Sequence, residues 1–224
     1  LVLRKKQYNF YRDSLLNFDQ NDLDVEWKKI GMIGDVTKLA GFEFTKYVTY
    51  VETGKIIALR GLNVKGKLDL TDVKYLDGSD LTKLERSKLY KDDILFTYVG
   101  TVGQVALVDC DDKYYLAPNV ARIRFDKEVV DPAYIRYFFQ TEYFMRKQIE
   151  KYAKTSSMKN LTMENIRKFQ VPIPPLETQA KIVSILDRFD TLTSDLTQGL
   201  PAEIAARKKQ YEYYRDKLLT FWRK

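Results

Sequence analysis

At 224 residues the chain can hold one large domain, or a compact domain with an extended element, and its 45% hydrophobic content is ordinary for a globular core. Thirty-eight Lys and Arg against 31 Asp and Glu give a net charge of +7, which favours a polyanionic partner. With no histidine and a single cysteine, Cys110, the chain lacks the commonest zinc ligand, the usual neutral-pH general base and any internal disulfide.

The chain opens with "RKKQYNFYRDSLLNF" (residues 4–18), and its apolar positions Leu1, Tyr8, Tyr11, Leu15 and Phe18 fall in steps of seven, three, four and three. That spacing is the seam of a coiled coil and predicts the end of a helix over residues 1–20. From about residue 25 to 126 the pattern changes to short β-rich runs broken by glycine: "KIIALRGL", "ILFTYVG", "GQVALVD" and "VARIRF". "VKGKLD" and "LDGSD" supply turns between them. "GLNVKGKL" (61–68) approaches a phosphate-binding loop but has Leu68 where a magnesium-holding hydroxyl is required, so it reads as a glycine-punctuated hairpin. "EWK" (26–28) is half of a nuclease site without the Pro-Asp pair that completes it. Asp131-Pro132 is an N-cap followed by a first-turn proline, predicting helices over 132–140 and 143–154.

After the loop "KTSSMKN" a short helix is expected near 162–168, and "VPIPPLE" reads as a rigid extended link. Its "IPPL" lacks the polar and aromatic residues with which an amino-methyltransferase grips a flipped base. A second seam follows at Ile182, Ile185, Phe189, Leu192 and Leu196, then a break at "QGLP". "RKKQYEYYRDKLLTF" (207–221) then repeats the opening word at eleven of fifteen positions, with Ile204, Tyr211, Tyr214, Leu218 and Phe221 on its seam. The period from Arg4 to Arg207 is 203 residues. The expected fold is α+β: a globular domain with a twisted β-sheet and flanking helices over 21–174, followed by a long coiled-coil helical arm over 175–224. No catalytic constellation and no metal or cofactor site is found. No apolar run reaches the roughly eighteen residues of a membrane span, no signal peptide is recognised, and the cytoplasm is the expected compartment.

Three loops carry the residue types that read bases or hold phosphates. The first offers Arg60, Asn63, Lys65 and Lys67; the second Thr97, Tyr98, Thr101 and Gln104; the third Lys154, Ser156, Ser157, Lys159 and Asn160. Lys38 and Lys46 are weaker candidates.

The stretch "FQVPIPPLETQAKIVSILDRFDTL" (169–192) resembles the entry into a conserved helix of the specificity subunits of type I restriction–modification enzymes. "VEWKKIGMIGDVTKLAGFEFTK" (25–46), "GLPAEIAARKKQYEYYRDKLL" (199–219) and the order "YLAPNVARIRF", "YIRYFF", "TSSMKNLT" are similar to that family as well. The resemblance implies a non-catalytic, bacterial or archaeal subunit in which target-recognition domains alternate with conserved helical regions. Each domain reads half of a split double-stranded DNA target. It also implies partners: adenine-N6 methyltransferase subunits and, through them, a motor nuclease subunit. The two copies of the repeated word are then the tails of two successive conserved helices, and the chain is one repeat unit with an overlap. Leu1 in place of Met favours a piece of a longer subunit over a short one that pairs with itself as a homodimer through the helical arms. The alternatives are the recognition domain of a fused restriction–methyltransferase, or a coiled-coil scaffolding protein that does not bind DNA.

Overall fold

The computed structural model describes residues 2–18, 25–153, 160–194 and 200–220. Of the expected positions, Leu1, Lys154, Ser156, Ser157, Lys159, Leu196, Phe221 and the side chain of Leu218 lie outside the described residues. The architecture is mixed α+β. Helix α1 (Val2–Leu15) precedes β1 (Glu26–Lys29), α2 (Ile30–Ile33), β2 (Gly34–Lys38) and α3 (Gly41–Tyr47). Six strands follow: β3 (Ile57–Leu59), β4 (Lys74–Tyr75), β5 (Ile94–Thr97), β6 (Val105–Leu107), β7 (Tyr114–Leu116) and β8 (Val120–Phe125). The second half carries α4 (Pro132–Phe138), a π-helical turn (Phe144–Ile149) running into α5 (Glu150–Ala153), α6 (Met163–Arg167) and β9 (Gln170–Ile173). Two longer helices close the chain, α7 (Leu176–Ser194) and α8 (Leu200–Thr220).

The strands form three sheets. The largest has the order β2-β8-β5-β6, all antiparallel. Strand β8 lies between two partners, and its apolar residues Val120, Ala121, Ile123 and Phe125 are all buried. The two arginines of β8 are neutralised across the sheet: Arg122 pairs with Asp35, and Arg124 holds buried Asp93 through two bonds of 2.7 Å. A second sheet, β4-β3-β7, joins β3 and β7 in parallel. Between the large sheet and the helices, Phe96, Phe138, Phe139, Phe144 and Phe169 form a fully buried aromatic cluster with ring centroids as close as 4.4 Å.

The segment "VPIPPLE", expected as an unpaired link, is in part a strand. β9 pairs antiparallel with β1, with Trp27 opposite Pro172, and Ile30 N donates to Phe169 O at 2.9 Å. A two-stranded ribbon leaves one side of each strand unpaired, so proline's missing N–H is tolerated there. The "EWK" tripeptide is β1 itself, with Lys28 paired to Glu26.

Beyond β9 the chain is locked to the domain by one buried side chain. Gln179 is fully buried in α7; its Oε1 accepts from Asp131 N at 2.8 Å, and its Nε2 donates to Pro174 O at 2.8 Å and Val129 O at 3.3 Å. Asp131 in turn caps α4 through Ala133 N, as its sequence signature predicts. Tyr137 Oη donates to Asp187 of α7, and Tyr134 Oη to Pro172 O.

α1 lies against α7, with Tyr11 stacked on Phe189 at 5.8 Å and 9°. Tyr8, Leu15 and Phe18 are partly buried on the main core. On α7, Ile182 and Leu186 are buried in the core, an i, i+4 pair that packs with α4, whereas Ile185 and Leu192 of the expected seam are exposed. On α8, Ile204, Tyr211 and Tyr214 are exposed.

Replacing Gln179 with Leu strands the Asp131 N–H and two carbonyls, and should destabilise the fold by about 2–4 kcal/mol in urea titrations; a loss below about 1 kcal/mol would contradict the lock. Asp77 accepts from Ile56 N and Lys55 N, and these donors hold its carboxyl below the usual range. Its folded pKa being depressed, its contribution is complete above the unfolded value of about 4 and fades as pH falls toward the folded one. Acid unfolding of Asp77→Asn should therefore be shallower than that of the wild type; superimposable acid limbs would dismiss the contact.

Candidate nucleic-acid interface

The first loop leaves β3 at Arg60 and is closed by its own polar residues. Asn63 is fully buried: its Oδ1 accepts from Arg60 N at 3.0 Å, and its Nδ2 donates to Asp69 O at 2.8 Å and Asp72 O at 2.7 Å. Arg60 Nη2 donates to Asp72 through both the backbone and carboxylate oxygens. Two expected contact residues, Arg60 and Asn63, thus hold the frame of the loop: Asn63 is fully engaged inside it, and Arg60 is tied to Asp72 through Nη2. At the tip Gly66 adopts φ 77°, and its carbonyl accepts from Gln140 Nε2 at 3.3 Å, which ties the tip to the end of α4. Lys65 Nζ sits 2.6 Å from Asp69, whose carboxyl is held well below its ordinary range by Lys65 first and by Thr71 next. Lys67 is exposed, with no partner among the described residues.

The second loop joins β5 to β6. Thr97 is buried; its Oγ1 donates to Thr101 O and accepts from Gln104 N at 2.9 Å, so this expected contact residue is also frame. Gly100 and Gly103 both have positive φ. A Cβ at Gly100 would meet nothing, while one at Gly103 would lie 2.5 Å from Ile149 Cδ1 in the π-helical turn. The loop is therefore open at its tip and pressed onto the helical layer at its base. Tyr98 is buried at its ring, which raises its hydroxyl pKa, and Lys38 Nζ stands 5.5 Å over that ring. Thr101 and Asn160 are exposed, and Gln104 is half-buried. Lys46, the other weaker candidate, is exposed beside its neighbour Tyr47.

Backbone bonds join Asn160 and Leu161 to the second loop. Leu161 N donates to Tyr98 O at 2.9 Å, and Val99 forms an antiparallel bridge with Asn160. Between the first two loops lies a concave pocket of about 530 Å³, bounded by Leu62, Val64, Lys65, Thr101, Gln104 and Asn119 among others. Asn119 was not among the expected residues. It sits at φ 69° between β7 and β8, exposed, with its carbonyl accepting from Tyr98 N at 3.2 Å. An asparagine after proline between two strand-like runs is a turn signal that also places a carboxamide at the surface.

Among the described residues no group of three or more His, Cys, Asp or Glu could hold a metal ion, and no helix is long and apolar enough to cross a membrane.

Residues 24–206 match the family described as the type I restriction modification DNA specificity domain. A type I restriction enzyme specificity subunit of Haemophilus influenzae is 32% identical over 99% of this chain and 54% of its own length. The EcoR124I/EcoR124II specificity subunit of Escherichia coli is also 32% identical, over 99% of this chain and 54% of its own. The chain thus spans about half the length of the curated relatives it matches. The solved HsdS subunit from Thermoanaerobacter tengcongensis shares the fold at a TM-score of 0.59 and 16% identity, covering 88% of this chain and 47% of that one. The chain belongs to the type I restriction modification DNA specificity domain family.

Proposed function

We propose that this chain is a DNA-recognition unit: residues 21–174 read half of a bipartite double-stranded target, and residues 175–224 form a helical arm that sets the interval to a second reader. The observation that carries the reading is the pocket shared by the first two loops, with Asn160 and Leu161 bonded to the second of them. Tip residues Lys67, Thr101, Gln104 and Asn160 are the contacts proposed on that face, with Lys65, Lys38 and Tyr98 beside them. Lys154, Ser156, Ser157 and Lys159 extend the set by sequence position. Catalysis is left to adenine-N6 methyltransferase subunits docked on the helices, and through them a motor nuclease subunit, in the cytoplasm of a bacterium or archaeon.

The arm fits this role in length. α8 has 21 residues, about 32 Å at 1.5 Å per residue. One turn of B-DNA spans ~34–36 Å. The repeated word supports the pairing: α1 applies Tyr11 to Phe189 of α7, whereas the equivalent Tyr214 of α8 is exposed together with Tyr211. Such a stripe fits a helix of another unit, in the same subunit or in a second copy.

The test is duplex binding over a salt series. Lys67→Ala should weaken binding to related and unrelated duplexes alike and reduce the log–log salt slope by ~0.9. Asp69→Asn, by releasing Lys65, should steepen that slope by a similar amount. Slopes unmoved by both changes would remove this face from the DNA contact. For the arm, sedimentation at high micromolar concentration without partners should show a dimer, lost in Tyr211→Ala/Tyr214→Ala; a monomeric wild type would argue against self-pairing.

A further inference from the structure

We propose that the pocket between the first two loops reads an A·T base pair through the carboxamides of Gln104 and Asn119, an inference that rests on this face contacting DNA. In the major groove adenine presents an acceptor at N7 and a donor at N6, which a carboxamide matches with its own donor and acceptor. Guanine presents two acceptors and suits a guanidinium or ammonium group; cytosine presents a donor and suits a carboxylate. Among the described residues its lining offers two carboxamides, no carboxylate and no guanidinium. Lys65, the lining cation among them, is engaged with Asp69, and the nearby Arg60 with Asp72.

Apolar surface completes the match. Leu62 is 41% exposed on the same pocket, and its side chain is the contact a thymine C5-methyl group requires. Both carboxamides also rise from fixed backbone. Gln104 exchanges bonds with Thr97 at N and O, each 2.9 Å, and Asn119 is held through its carbonyl by Tyr98 N. Neither side-chain amide has a partner among the described residues. A bound base would order only the two side chains, so little freedom is lost on pairing.

The experiment selects bound sequences from a randomised duplex library with the full chain and with Gln104→Ala, Asn119→Ala and Gln104→Glu. The wild type should enrich an A·T pair at one position, and each alanine variant should lower that preference roughly 5- to 150-fold while sparing the other positions. Gln104→Glu should move the preference toward cytosine, whose N4 donates to a carboxylate. Thermal melts should be unchanged, since none of these side chains carries a fold contact. A sensitive position occupied by G·C, or no position altered by either alanine variant, would overturn the base assignment. A wild-type chain that enriches no sequence would instead overturn the DNA-recognition reading, and the assignment with it.

Discussion

The carboxamide of Gln179 has no solvent exposure, and its two ends are claimed by three backbone groups: the cap of α4, Val129 two residues before it, and the proline turn entering α7. A neutral amide has the right number of donors and acceptors for that position; a hydrocarbon leaves buried polar groups unpaired, and a carboxylate cannot donate. The direction in which α7 departs from the domain is set there. Tyr134 on Pro172 then holds the strand before the helix, and Tyr137 on Asp187 and Tyr11 on Phe189 hold the helix itself. These contacts join the helix to the aromatic core.

At the opposite end the same logic of satisfied groups separates support from contact. Arg60, Asn63 and Thr97 spend their polar atoms holding loop shape, and the arginines of β8 are neutralised by Asp35 and Asp93. Of the two lysines of the first loop, Lys65 is held by Asp69, whereas Lys67 is exposed with no carboxylate partner among the described residues. Desolvating a lysine already paired with a carboxylate yields little; an unpaired one releases counterions in full.

Elements specified by local chemistry were readable in the sequence. The Asp131-Pro132 start of α4 and the run "VARIRF" fall where expected, because cap geometry and dense β-branched or apolar character need no distant partner. The β1–β9 ribbon was not readable, since its register joins Trp27 to Pro172 and a proline-rich stretch carries no strand signal of its own. On α7 the core takes Leu186, which the seam spacing left out, because spacing alone does not say whether a helix faces one partner or a core. Within the loops, Asn63 and Gln104 look alike as letters. Only burial separates an amide that braces its own chain from one that points outward, and Asn119 was missed for the same reason.

The pairing of an open Gly100 with a tightly seated Gly103 has an evolutionary corollary. Changes at exposed Thr101 and in the side chain of Gln104 alter what the surface presents without touching the buried base of the loop, whereas Val102 is part of the core and Gly100 holds a positive φ. New binding preferences can therefore accumulate there by drift, each variant inheriting an intact scaffold, whereas change at Gly103 or Thr97 is filtered first by whether the chain still folds.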